Sequence, residues 1–205
     1  MNAFTPWVIF SYRRELKLVA FTFLLVLLLP VIAVIILTQT GINIISDTLV
    51  GVDEITQEVE IKNPLDGSED TTINGSFAWP TNGVVTLEFG KSSAYQALHT
   101  GIDIAGKRGD PVTPFYPGTV IYAGQISWGY GKHIIIDHGD NMTSIYAHLD
   151  SMYVVPGQEV KPGDVIGGQG NTGWTVGPTG VHLHFQINVY GIPVNPRTFF
   201  GEYLL

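Results

Sequence analysis

The chain has 205 residues, 18 of them acidic and 10 basic, for a net charge of −8. Charged residues make up only 14 %, against the ~25 % usual for a soluble domain, because one long apolar run lies near the N-terminus. No block of Lys and Arg is present to replace phosphate counterions, which excludes sequence-independent nucleic-acid binding. Cysteine is absent. That excludes a disulfide framework, thiol catalysis, Cys-ligated zinc, iron–sulfur clusters and lipid attachment through Cys. Any metal site must use His and carboxylates.

Charge and pattern divide the chain into four parts. Residues 1–17 carry a net +2 from Arg13, Arg14 and Lys17 against Glu15. Leu18 to Leu37 is a twenty-residue run without a charge. As a helix it spans roughly 30 Å, the thickness of a bilayer's hydrocarbon core. Pro30 is tolerated in such a setting, and Thr22 can bond back to the helix backbone. The cations before the run and none soon after place residues 1–17 in the cytoplasm as a tail, residues 18–38 across the cell membrane and the rest outside it. Phe4, Trp7, Phe10 and Tyr12 of the tail suit an interface as well as they suit disorder. A cleaved signal peptide has a shorter apolar stretch, ~7–15 residues, and a small-x-small site, which Thr38-Gln39-Thr40-Gly41 is not. A buried soluble helix would not be apolar on every side. The expectation is an uncleaved single-pass anchor.

Residues 39–75 carry a net −7 and no sustained period. Ile55 and Val59 fit a helix, Val59 and Ile61 a strand. The expectation is an acidic extracytoplasmic tether, self-repelling and partly disordered, reaching roughly 120 Å when stretched.

Residues 76–205 hold 20 of the 24 glycines and show no helical period, although Ser93–Leu98 could make a turn or two. Short β-type runs recur instead: Val84–Phe89, Gly118–Tyr122, His133–Asp137, Thr143–His148, Val165–Gly167 and Val181–Val189. Gly139-Asp140-Asn141 reads as a hairpin turn, with further turns at Pro156-Gly157 and Pro162-Gly163. Many short, closely spaced strands predict a mainly β fold, an antiparallel sandwich or open barrel.

Six histidines carry the chemistry. From Val181 to Val189 apolar and polar residues alternate strictly, so His182 and His184 share one strand face. Side by side they gain nothing as packing, and a metal or proton transfer explains them better. In His99-Thr100-Gly101-Ile102-Asp103 the His, the Gly and the Asp share a face, with Gly101 leaving room for an ion. His99, Asp103 and one of the His182/His184 pair then give two imidazoles, one carboxylate and an open position, a catalytic zinc arrangement. Tyr146 and His148 face one way on their strand, Ala147 and Leu149 the other. His133 and His138 carry no assigned role.

These segments, with Gly131–Gly139, Tyr146-Ala147-His148-Leu149 and Gly170-Asn171-Thr172-Gly173, resemble the lysostaphin/LytM-type zinc metallopeptidases in order and spacing, over nearly all of residues 80–200. That family consists mostly of peptidoglycan endopeptidases. The resemblance implies one Zn²⁺ per domain on His99, Asp103 and His184, with His148 and His182 as catalytic histidines that do not bind it. It implies a peptidoglycan peptide substrate and leaves a regulatory protein partner open. Three departures bear on substrate preference: a loop after Gly173 about three residues longer than the common form, Lys91-Ser92 where Arg is frequent, and Gln186 where Glu is common. Some relatives have lost zinc ligands and bind the wall or activate an amidase, whereas here all five positions are filled. Val155–Gly167 also resembles biotinyl- and lipoyl-carrier hairpins, but Lys161 lacks the expected neighbours.

Overall fold

The computed structural model describes residues 6–53, 56, 58–73, 75–93, 96–175 and 180–204. Phe4, Ile55, Ala94 and Tyr95 of the Ser93–Leu98 turn, and Val176–Thr179 of the long loop lie outside these. So do the side chains of Trp7, Phe10, Tyr12, Arg13 and Arg14. The chain divides into two compact units, Met1–Thr38 and Gln39–Leu205.

The first unit is helical. Helix α1 spans Pro6–Leu49 and continues through Pro30. Its portion Glu15–Leu49 is long and apolar enough to cross a membrane, with a mean hydropathy of 3.1 over its most apolar 18 residues. Phe21, Phe23, Leu25, Leu27 and Leu29 all point outward, an apolar surface a soluble domain does not present. The Thr22 and Thr38 hydroxyls donate to the carbonyls of Leu18 and Val34, both at 2.8 Å.

The second unit begins inside the same helix, and here the structure departs from the expected tether. Ile42, Ser46 and Leu49 recur at i, i+4 and i+7 and turn one face inward. The Ser46 hydroxyl accepts the Asn195 amide at 2.8 Å. Three strands follow, β1 (Val50–Val52), β2 (Val59–Lys62) and β3 (Glu69–Ile73), in an antiparallel sheet in that order. In β2 the apolar Val59 and Ile61 alternate with Glu60 and Lys62. They bury with Leu49, Val50 and Ile73 in the same core cluster as the rest of the unit. Asn63–Ser68 closes the hairpin with Gly67 at φ 71°, a conformation glycine adopts without strain. The described residues of 39–73 are thus a folded part of the unit rather than a 120 Å reach, because acids on the outer face hid a short inward-facing alternation.

The remaining strands are β4 (Val84–Leu87), β5 (Ile102–Ala105), β6 (Pro111–Val112), β7 (Gly118–Gln125), β8 (Lys132–Asp137), β9 (Met142–Ala147), β10 (Ser151–Met152), β11 (Glu159–Val160), β12 (Gly167–Gly168), β13 (His182–Val189) and β14 (Ile192–Val194). A 3-10 helix, Pro196–Leu204, ends the described chain. The main sheet runs β11-β7-β8-β9-β13-β5-β4, with β14 also on β13, and a small sheet runs β10-β12-β6. All these pairings are antiparallel. The fold is mainly antiparallel β with one N-terminal apolar helix, as the alternation predicts. Strand β13 is central, flanked by β9 and β5, and its Leu183, Phe185, Ile187 and Val189 are fully buried. Its polar face is buried too, with His182, His184 and Gln186 each less than 8 % exposed.

One polar chain crosses the core below the site. Tyr146 stacks on Phe185, and its oxygen accepts the Phe115 amide at 2.9 Å. Tyr146 therefore belongs to the core and does not share a face with His148. The Ser144 hydroxyl lies 3.1 Å from that oxygen and 2.7 Å from His138 Nε2, while His138 Nδ1–H donates to the Pro117 carbonyl at 2.8 Å. Burial lowers the His138 pKa to about 4, below the unfolded value of about 6.5. The neutral ring thus favours the folded state above pH ~6.5, and that contribution is lost as pH falls through about 4. The gap in melting temperature between wild type and His138→Gln is expected to narrow from pH 7 to pH 4. A constant gap would show that His138 titrates alike in both states.

Candidate metal centre

Four histidines and one carboxylate converge where β5 meets β13. The register pairs His184 with Asp103 directly. His99 precedes β5 rather than lying on it. It is held by backbone bonds, its amide to the Lys91 carbonyl and its carbonyl from the Gly90 amide. It still meets Asp103. His99 Nε2, Asp103 Oδ1 and His184 Nδ1 form a triangle with edges of 2.9, 2.9 and 3.0 Å. Among the described residues this is the one cluster of three groups able to share a metal ion.

The outer nitrogens decide what that triangle is. His99 Nδ1 faces the Glu88 carbonyl at 3.2 Å, an acceptor only, so the proton sits there and Nε2 turns a lone pair inward. His184 Nε2 faces Gln186 Oε1 at 3.3 Å. That oxygen also receives the hydroxyls of Thr100 (2.7 Å) and Tyr130 (3.0 Å), while the Gln186 amide donates to Asn188 Oδ1. Burial raises the Tyr130 pKa and keeps its hydroxyl a donor. With each ring neutral and its one proton on the outer nitrogen, three acceptors point at one another. This is the demand a cation of ~2.0–2.2 Å bond length satisfies, and outer bonds of this kind orient imidazole ligands. Without a cation, protons on the inner nitrogens would fill the gap. Burial would raise the Asp103 carboxyl, but hydrogen bonds from His184 and His99 outweigh it and hold the group well below the usual carboxylate range. Cation binding would displace those protons.

Gly101 does not make room for an ion, as the strand-face argument expects. A Cβ there would lie 2.4 Å from the Phe185 carbonyl and 3.0 Å from His184 Cε1, so the glycine admits β13 and the His184 ring. Gly101→Ala is expected to weaken zinc binding by about 10–100-fold, the range for changes that misplace a ligand from behind. Competition against a chromophoric chelator measures it, and unchanged affinity would show that β13 yields freely.

His148 and His182 complete the constellation, with ring centroids 4.8 Å apart. His182 Nε2 lies 3.9 Å from Asp103 Oδ2, and its Nδ1 faces the Gly180 carbonyl at 3.3 Å. His148 Nδ1–H donates to the Thr172 carbonyl at 2.9 Å. One loop, residues 172–180, therefore backs both rings from its two ends and turns both Nε2 atoms inward. His148 sits just past β9 at φ 63°, a left-handed conformation held against its intrinsic cost, the kind of strain found at functional sites. Burial, then the neighbouring His184 and His182, push its pKa down to about 3. Burial also lowers His182, opposed by the Asp103 charge. Both rings are neutral near pH 7 and present lone pairs. His133, stacked on Tyr122 at 4.5 Å, and His138 lie outside the constellation.

The structure thus brings together His99, Asp103, His184, His182 and His148. Sequence reasoning missed Tyr130, Thr100 and the carbonyls of Glu88, Thr172 and Gly180. It also tied Gln186 to substrate preference, whereas Gln186 stands buried behind His184. Only Gln186, as the next even position of β13, carried a signal.

Comparison with known proteins follows the same outline. The profile of peptidase family M23 matches residues 97–196. The lipoprotein NlpD of Yersinia enterocolitica is 46 % identical over 100 residues, covering 49 % of this chain and 99 % of that protein. The chain belongs to peptidase family M23. The M23 catalytic domain of the prophage-encoded EnpA of Enterococcus faecalis, solved as a point mutant, is 36 % identical over 62 % of this chain and 100 % of that one, with a TM-score of 0.53. The murein hydrolase activator NlpD of Salmonella dublin is 43 % identical over 127 residues, 62 % of this chain. Those residues are 32 % of that protein, so the chain spans about a third of the activator it matches.

Proposed function

We propose that the chain is a membrane-anchored zinc metalloendopeptidase that hydrolyses peptide bonds in murein. The observation that carries this reading is the triangle of His99, Asp103 and His184, whose outer nitrogens are committed to acceptors behind them. Zinc held there would supply a Lewis acid for the scissile carbonyl and a bound water of lowered pKa. His182 offers a lone pair beside the Asp103 carboxylate and takes the proton as general base. His148, neutral with its proton committed to the Thr172 carbonyl through Nδ1, offers a second Nε2 lone pair that assists His182 in accepting it. Neither step needs a Ser or Cys nucleophile.

Residues 18–38 of α1 would be the anchor, with Lys17, Arg14 and Arg13 on the cytoplasmic side and the M23 domain outside. Relatives are named lipoproteins. These 205 residues contain no cysteine to carry a thioether-linked lipid, so an apolar helix would take that part.

A second reading is favoured by the relatives' names. Proteins 41–43 % identical are called murein hydrolase activators, and the comparisons lean toward that non-catalytic role, with a murein hydrolase as protein partner. Completeness of the site favours catalysis instead. Full-length chain is incubated with purified murein, with and without chelator, and released fragments are identified by mass spectrometry. New chelator-sensitive peptide termini support the peptidase. Their absence, with stimulation of an added amidase, would establish the activator.

A further inference from the structure

Beside the metal centre stands an aromatic ledge that the proposed chemistry does not use. Trp128, between β7 and β8, and Trp174, after β12, have ring centroids 4.4 Å apart and planes inclined by 39°. They remain 67 % and 45 % exposed, an unusual state for two indoles in contact. The ledge is firmly built. The Trp174 amide donates to the Gly129 carbonyl at 2.8 Å, and the Ile126 amide to the Gly131 carbonyl at 3.1 Å. Gly131 and Gly173 pack backbone against backbone, where a Cβ on either would meet atoms of the other loop at 2.3 Å. The same two loops supply the Tyr130 and Thr172 carbonyls that hold His148, so the ledge is continuous with the centre.

The composition of these loops selects the ligand. Residues 125–131 and 169–175 contain no charged residue. An anionic headgroup or phosphate would require Lys or Arg there. An apolar helix would require a long groove rather than two rings flanked by Ser127, Asn171 and Thr175. Two indole faces among uncharged polar side chains suit a ligand that is apolar on its faces and hydroxylated at its edge. We propose that Trp128 and Trp174 form a stacking platform for a neutral pyranose ring of the glycan strand that bears the murein peptide. The proposal rests on the preceding reading only for murein as the ligand. The platform would hold glycan whether or not the chain cuts peptide.

The test uses full-length chain in zwitterionic nanodiscs, titrated calorimetrically with peptide-free glycan strands and separately with glycan-free stem peptides. Wild type is expected to bind the glycan. Trp174→Ala and Trp128→Ala should each weaken it about tenfold, the scale of one lost aromatic contact, with zinc content unchanged as the check on folding. Glycan binding lost in the variants, in a chain that cleaves no murein, would keep the platform and remove only the peptidase reading. The platform is overturned if wild type does not bind peptide-free glycan, if the variants bind it equally, or if they lose the stem peptides instead.

Discussion

His184→Ala is expected to abolish stoichiometric zinc binding. The substitution leaves His99 and Asp103, one imidazole and one carboxylate, where a stable site takes three protein donors and an open position. It also removes the ring behind which Gln186, Thr100 and Tyr130 are organised, since Gln186 Oε1 faces His184 Nε2 and accepts both hydroxyls. Elemental analysis of full-length chain grown with zinc should give one ion per wild-type molecule and far less than one in the variant. Equal content would refute the ligand assignment, and a zinc-free wild type would remove the peptidase reading.

His182→Ala should behave in the opposite way. The triangle of His99, Asp103 and His184 is untouched, so zinc is retained. What disappears is the lone pair beside Asp103 Oδ2, and a positioned general base is typically worth ~10²–10⁴ in rate. Zinc content is measured beside the rate of murein-peptide hydrolysis. His148→Ala should likewise keep zinc and lose turnover. If His182→Ala loses the ion as fully as His184→Ala, the division of labour between the two neighbours is wrong. If both variants hydrolyse at the wild-type rate, another group activates the water.

The legible parts of this molecule are those written in side chains at short spacing. Alternation in β13 puts His182 and His184 on one face, and His99 with Asp103 sits four apart before and on β5. Resemblance alone singled out His148, because the left-handed backbone at that position is imposed by the crossing loops and not by its neighbours in sequence. The backing carbonyls of Glu88, Thr172 and Gly180 were illegible for a similar reason, since every residue has a carbonyl and only the fold aims it. Residues 39–75 read as a tether because acids dominate their composition. Yet Val59-Glu60-Ile61-Lys62 alternates and Asn63–Gly67 is a turn. A hairpin was there to be read, though its third strand, β1, has only three residues and no pattern long enough to find.

At its described ends, the loop from Thr172 to Gly180 backs the two catalytic-histidine candidates through main-chain oxygens, one at each end. That backing depends on no side chain of the segment, which makes the segment an exchangeable cassette. Sequence beyond the tightly packed Gly173 can be rewritten, lengthened or grafted from a relative while both imidazoles keep their tautomers. Substrate choice and bond-breaking then lie under separate selection, and a library restricted to positions 174–179 would vary the first without touching the second.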